Sequence, residues 1–192
     1  MMFTIFQKTG YLTGKILLST PFNPSKEFEK SVVFICGHDD KGAMGVIINK
    51  QLSSLSLKDV LQYLTKPLEA GEKDAPLYYG GAQESTRGFV IHTPEYKQEK
   101  TLSIKDSLSL TATLEVLTDI MEGKGPQQAL LALGYCLWKS QNLEKEIFQN
   151  HWTMMDATKE IIFSNSPKDS WQECYDSLGI NPFLISMEKG CA

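Results

Sequence analysis

The sequence predicts an α+β fold carried by a mixed β-sheet. Short β-branched or aliphatic runs bounded by Gly, Pro and Asn crowd the N-terminal half, whereas helical patterns are few and do not alternate strictly with them. The 192 residues are 42% hydrophobic and 22% charged, which suits one folded domain over 1–192 with a real core. No internal repeat, low-complexity tract or linker interrupts the chain, and the polar stretch Lys66 to Pro76 reads as a loop.

Taken in order, strands are expected at Lys15 to Ser19, Ser31 to Cys36, Gly45 to Ile48, Leu77 to Tyr79 and Gly88 to His92. Leu130 to Leu133, Trp152 to Met155 and Ile161 to Phe163 supply later ones. Among the helices, Leu57 to Leu64 follows Ser56, with Asp59 placed to reach back to that cap. Thr113 to Glu122 carries Leu114, Leu117, Ile120 and Met121 on one face and stops before Gly123. A shorter helix runs from Asn142 to Gln149, with Leu143 and Ile147 inward. The last begins at Ser166-Pro167 with the stripe Trp171, Cys174, Tyr175 and Leu178.

Net charge and cysteines narrow the functional classes. The formal charge is −4, and Lys and Arg are scattered, whereas duplex binding draws its affinity from a basic face that neutralises phosphates. Direct nucleic-acid binding is therefore disfavoured. Cys36, Cys136, Cys174 and Cys191 form no C-x-x-C pair, so zinc-ribbon spacing is absent. The opening residues Met1 to Lys8 show no export signal, and no apolar run reaches the roughly 20 residues of a membrane span. A cytoplasmic protein with reduced, buried thiols and no membrane segment is expected.

Several residues offer chemistry. His38, Asp39 and Asp40 end a strand before a glycine-rich turn, and His92 closes another strand. Together they present oxygen and nitrogen ligands or an acid/base pair, or else they bond turn backbone and cap the turn. Gly42 to Gly45 and Gly80-Gly81 suggest anion-holding nests or, in the favoured reading, tight turns. Neither matches a phosphate loop. Tyr135, Trp138 and Trp152 bring large rings together for a pocket, a partner surface or a core. Lys139, Glu144, Lys145 and Glu146 read as a solvated helix face. No G-x-S-x-G elbow supports serine hydrolysis, and no cofactor or bound metal is called for.

Three stretches carry a resemblance. The first runs from Phe28 through the His38 turn and Gly42-Ala43-Met44-Gly45 to Asn49-Lys50. The second is Gly80-Gly81-Ala82 with Gly88 to His92. The third is Ala132 to Trp138, then Leu143 to Ile147 and Asn150-His151-Trp152. In this order, over nearly the whole chain, they resemble the YqgE/AlgH family, some of whose members are described as proposed transcriptional regulators. The resemblance implies an α+β fold in which a bifurcated sheet with a small barrel-like portion is surrounded by helices. It transfers no catalytic residue. The chain departs from the family pattern where Leu137, Lys139 and Gln141 stand in place of glycines, Asn142 in place of Gln, Ala82 in place of Pro and Gly37 in place of Glu.

The functional expectation is a non-enzymatic binding or regulatory protein acting through a protein partner or small ligand. The alternative is a metal-dependent or acid/base enzyme built on His38, Asp39, Asp40 and His92, with Gly42, Gly45, Asn49, Gly80, Gly81, Tyr135 and Trp138 as pocket or turn residues.

Overall fold

The computed structural model describes residues 12–64, 74–105 and 107–185. The loop read at Lys66 to Pro76 lies outside the described residues up to 73, as do the opening residues 1–8 and Cys191. Among the described residues, ten strands form one strongly curled half-barrel sheet in an α+β fold. They are β1 (Lys15–Ser19), β2 (Val32–Asp39), β3 (Gly42–Ile47), β4 (Gln51–Ser56), β5 (Pro76–Tyr79), β6 (Gln83–His92), β7 (Leu102–Lys105), β8 (Leu108–Thr111), β9 (Ala129–Lys139) and β10 (Trp152–Asp156). The main path is β10-β1-β2-β3-β9-β6-β8-β7, with β4 and β5 branching from it.

The branch point is β9. One edge of this strand pairs with β6 from Ala129 to Tyr135. On its other edge, Leu131 to Leu133 runs parallel to β5, and Cys136 to Lys139 runs antiparallel to β3. The sheet forks where those two partners diverge, and three glycines sit there. A Cβ on Gly80 would lie 2.3 Å from the Gly134 carbonyl oxygen, and one on Gly134 2.2 Å from the Gly81 oxygen. Gly81 is as tight against the Tyr135 carbonyl. Gly134 also has φ +74, which breaks the two-residue alternation of β9. Leu130, Ala132 and Tyr135 therefore share the inner face, while Leu131, Cys136 and Trp138 lie on the outer one.

The inner face packs Ile16, Leu18, Val32, Phe34, Phe89, Ile91, Leu108 and Leu110 into one core. Each such side chain contributes about 1.5–3 kcal/mol by leaving water. Helix α5 (Ser170–Ser177) lays Trp171 and Tyr175 on it, and the Trp171 indole donates to the Ser19 carbonyl at 2.8 Å. The outer face carries two separate clusters. One lies under α3 (Asn142–Phe148) and holds Leu143, Trp138 and Trp152. The other lies under α1 (Leu57–Leu64) and α2 (Leu114–Met121). Asp59 reaches back to Ser56 as expected, accepting its backbone N–H at 2.7 Å. Gly123, at φ +73, follows the end of α2.

Two expectations are corrected, and the sheet holds strands the sequence did not suggest. Ile161 to Phe163 is not a strand: Thr158 caps a short helix, α4 (Lys159–Ile162), accepting the Ile161 N–H. Gly42 to Gly45 is not a turn but the first part of β3. The hairpin turns at Asp40-Lys41, and Gly42 and Gly45 permit close strand contact: a Cβ on Gly42 would lie 2.0 Å from the Trp138 oxygen, and one on Gly45 2.8 Å from Val33. Finally, β4, β7 and β8 were not expected. No described helix is long and apolar enough to cross a membrane.

Candidate functional site

The residues singled out from the sequence are spread along β9 rather than gathered. His38 pairs with Ala43, which pairs with Trp138, whereas His92 pairs with Ala129 at the other end of the strand. The nine steps from Trp138 to Ala129 separate the two histidines by roughly 30 Å along the sheet. Among the described residues, no three His, Cys, Asp or Glu side chains converge to hold a metal ion.

Each polar candidate already has structural work. The His38 ring is 2% exposed and its Nε2 lies 3.0 Å from Glu144 Oε1, fixing α3 against the end of β2. Asp39 accepts the Lys41 N–H at 2.8 Å and closes the hairpin turn. Asp40 is exposed, and its carbonyl takes the Ser140 hydroxyl. Asn49 clamps the chain ahead of β2, accepting from Val32 N–H and donating to the Lys30 carbonyl, both at 2.8 Å. His92 is fully buried. Its Nδ1 faces the Thr93 carbonyl and its Nε2 the Thr111 hydroxyl, each at 2.8 Å, and Thr111 in turn meets Thr101. Burial pushes its pKa below the usual imidazole value, with the Thr93 bond and Glu95 opposing.

Tyr135 and Trp138 do meet in one place, a cleft of about 370 Å³ beside the fork of the sheet. Its walls come from β9, from the turn at Glu27-Phe28, from Ala82-Gln83 and from Glu146 on α3. Two carboxylates organise it: Glu27, which the sequence did not single out, and Glu146, which it placed on a solvated face. Glu27 Oε1 accepts the Tyr79 hydroxyl at 2.9 Å and the Ala82 N–H at 3.1 Å. Glu146 Oε2 accepts the indole N–H groups of both Trp138, at 2.9 Å, and Trp152, at 2.7 Å. Of the expected solvated face, Lys139, Glu144 and Lys145 are exposed, Glu144 also reaching His38, and Glu146 alone turns inward to the two indoles. Phe28 completes the aromatic wall, stacked 5.9 Å from Trp138 and edge-on to Trp152 at 4.9 Å.

The electrostatics at the back of the cleft follow from burial. Tyr79 is pushed up to about 12, first by desolvation and then by its bond to Glu27. Lys50 donates to the Glu27 carbonyl, and desolvation lowers its pKa despite Glu27 and Glu29 nearby. Burial raises the Cys36 and Cys136 thiols far above the reactive range, so they are packing groups and not nucleophiles. Cys36, Cys136 and Cys174 are free and buried. No sequence spacing announces Glu27 or Glu146, because their donors arrive from Tyr79, Ala82 and Trp152 through the tertiary fold.

Comparison with known proteins places this geometry in context. The sequence pattern of the AlgH-like family matches residues 16–183. A UPF0301 protein of Rhodospirillum rubrum is 39% identical over 190 residues, covering 98% of this chain and 99% of that protein. One from a Jannaschia species is 38% identical, covering 96% and 97%. The solution structure of the AlgH protein from Pseudomonas aeruginosa superposes with a TM-score of 0.77 at 30% identity, over 96% of this chain and 98% of that one. A crystal structure of a protein from Corynebacterium diphtheriae shares the fold, with a TM-score of 0.69 at 17% identity over 92% of each chain.

Proposed function

The chain belongs to the AlgH-like family, and from that premise we propose that it is a non-enzymatic binding or regulatory protein of the cytoplasm. Its cleft at the sheet fork takes a positively charged group, an amine or guanidinium, carried by a small ligand or by a partner protein. One observation carries this reading. Glu27 and Glu146 each hold one carboxylate oxygen on protein donors, while Glu27 Oε2 and Glu146 Oε1 have no hydrogen-bond partner among the described residues. Both residues line the cleft beside Tyr135, Trp138 and Phe28. A fixed carboxylate next to aromatic rings suits a cation, through charge-assisted hydrogen bonds and ring-face attraction. Buried free thiols accord with a reducing compartment.

A thermal-shift panel of arginine amide, agmatine and a diamine, set against matched carboxylates, tests it. At a hundredfold excess over its dissociation constant, a true ligand stabilises by about 2.7 kcal/mol. Glu27→Gln keeps an acceptor for Tyr79 and Ala82 but removes the charge, so it should abolish the shift while leaving the unliganded melt nearly unchanged. Equal shifts from anions, or shifts that survive this substitution, would overturn the reading.

A further inference from the structure

A second concavity has the opposite character. It is an open groove of about 430 Å³ between the start of β4, the start of β9 and the segment that follows α4, and none of its lining residues is charged. In their place stand four side-chain amides, Gln51, Gln127, Gln128 and Asn165, with the phenol of Tyr78 and the ring of Phe163. All four amide residues are exposed to solvent, and their side chains make no hydrogen bond within the described residues. The Glu95 carboxylate accepts the Gln127 backbone N–H at 2.7 Å and the Thr93 hydroxyl at 2.6 Å. Burial keeps the Tyr78 hydroxyl protonated as a donor.

Physical chemistry restricts what such a wall accepts. A charged ligand would lose hydration with no counter-charge to replace it. An apolar ligand would strip water from four amides and satisfy none of them. A hydroxyl both donates and accepts, as a carboxamide does with its NH2 and C=O, so a polyol matches four amides without leaving groups unpaired. The half-buried ring of Phe163, backed by the buried Tyr78, Leu130 and Ile162, suits the C–H face of a sugar ring. The volume lies within the range of small-molecule sites. From this lining we infer that the cleft is a binding site for a neutral saccharide, separate from the carboxylate cleft at the fork.

The experiment uses the full chain and ligand-observed NMR with glucose, galactose, N-acetylglucosamine, maltose and trehalose. Glucuronate and glucosamine serve as charged counterparts, and uridine and adenosine as flat neutral competitors. At least one neutral saccharide should bind, and more tightly than both charged sugars. Gln128→Leu and Phe163→Ala should each weaken it at least tenfold, with the Gln51→Leu variant covering the case in which either fails to fold. Glu27→Gln should leave it unchanged, which separates this site from the proposed cation cleft. Absence of binding by every neutral saccharide, preference for a charged sugar or nucleoside, or indifference to all the cleft substitutions would overturn the inference.

Discussion

Replacing Gly134 by Ala should be a damaging single-methyl change at the fork, and the structure separates the reasons. The new Cβ would meet the Gly81 oxygen at 2.2 Å and the Gln83 oxygen at 2.9 Å, both backbone atoms held by the sheet. A side chain at φ +74 costs about 1–2 kcal/mol in backbone strain. Forcing the strands apart adds about 1–3 kcal/mol. Together they predict a loss of about 2–5 kcal/mol, and for a chain of this length about 3 kcal/mol lowers the melting midpoint by about 6–12 °C. Three companion substitutions dissect the effect in urea titrations. Gly80→Ala keeps the clash, at 2.3 Å from the Gly134 oxygen, in a backbone region any residue adopts, so about 1–3 kcal/mol is expected. Gly123→Ala keeps a φ of +73 with nothing within 4 Å of the new methyl, and should cost only the strain of about 1–2 kcal/mol, less any gain from a stiffer unfolded chain. Gly88→Ala has neither feature, its nearest contact being an ordinary 3.8 Å, and should lie within about 0.5 kcal/mol of the parent. If Gly134→Ala is no worse than Gly123→Ala, close backbone approach is not what holds the fork.

The remaining predictions use other parts of the molecule. Glu146→Ala leaves two buried indole N–H groups without an acceptor, a loss of about 2–5 kcal/mol in urea unfolding, accompanied by a change in tryptophan fluorescence; Glu146→Gln, which keeps an acceptor, should cost less than half as much. Gln141 sits at φ +63, so Gln141→Gly should stabilise by about 0.5–1 kcal/mol, the relieved strain exceeding the added freedom of the unfolded chain. His92 has a depressed pKa in the fold, so the unfolded chain binds its proton first. Its contribution is complete above about pH 6.5 and is lost as pH falls through the lower folded value. The urea midpoint should drop between pH 7.5 and 5.5, and His92→Gln should flatten that part of the profile.

Much of the sheet is legible from residue order because its strands are bounded by turn residues and buried on both faces. β1 matches its expected limits, and the run Gly88 to His92 marks the end of β6 that pairs with β9. What escaped notice did so for physical reasons. β7 and β8 mix serine and threonine with leucine, and polarity usually signals solvent. Here Ser109 and Thr111 are fully buried on the outer face, beside His92 and its hydroxyl partners. Ile161 to Phe163 is short and apolar, a pattern that strand and helix share, and Thr158 with Glu160 supplied the deciding cap signal. The glycines were readable as special: Gly42 and Gly81 take positive φ, and Gly80-Gly81 lies in the short connection from β5 to β6, but that Gly42, Gly80 and Gly81 also lie against neighbouring backbone is a relation no local pattern encodes. For the same reason the cleft residues Tyr135 and Trp138 were found and the carboxylates that organise it were not.

The position of β9 in the chain has a consequence for how the protein is made. This strand, residues 129–139, is the partner of β3, β5 and β6, all of which leave the ribosome well before it. Until it emerges, those earlier strands present open edges with no hydrogen-bonding neighbour of the right register. The sheet is completed later still, when β10 pairs with β1 across 141 residues, Lys15 opposite Asp156. Such long-range closure slows folding and prolongs the exposure of strand edges. A chain truncated near residue 128 would therefore hold most of the strands and little of the fold, and aggregation of the nascent chain, more than loss of any side-chain contact, is the hazard this topology imposes.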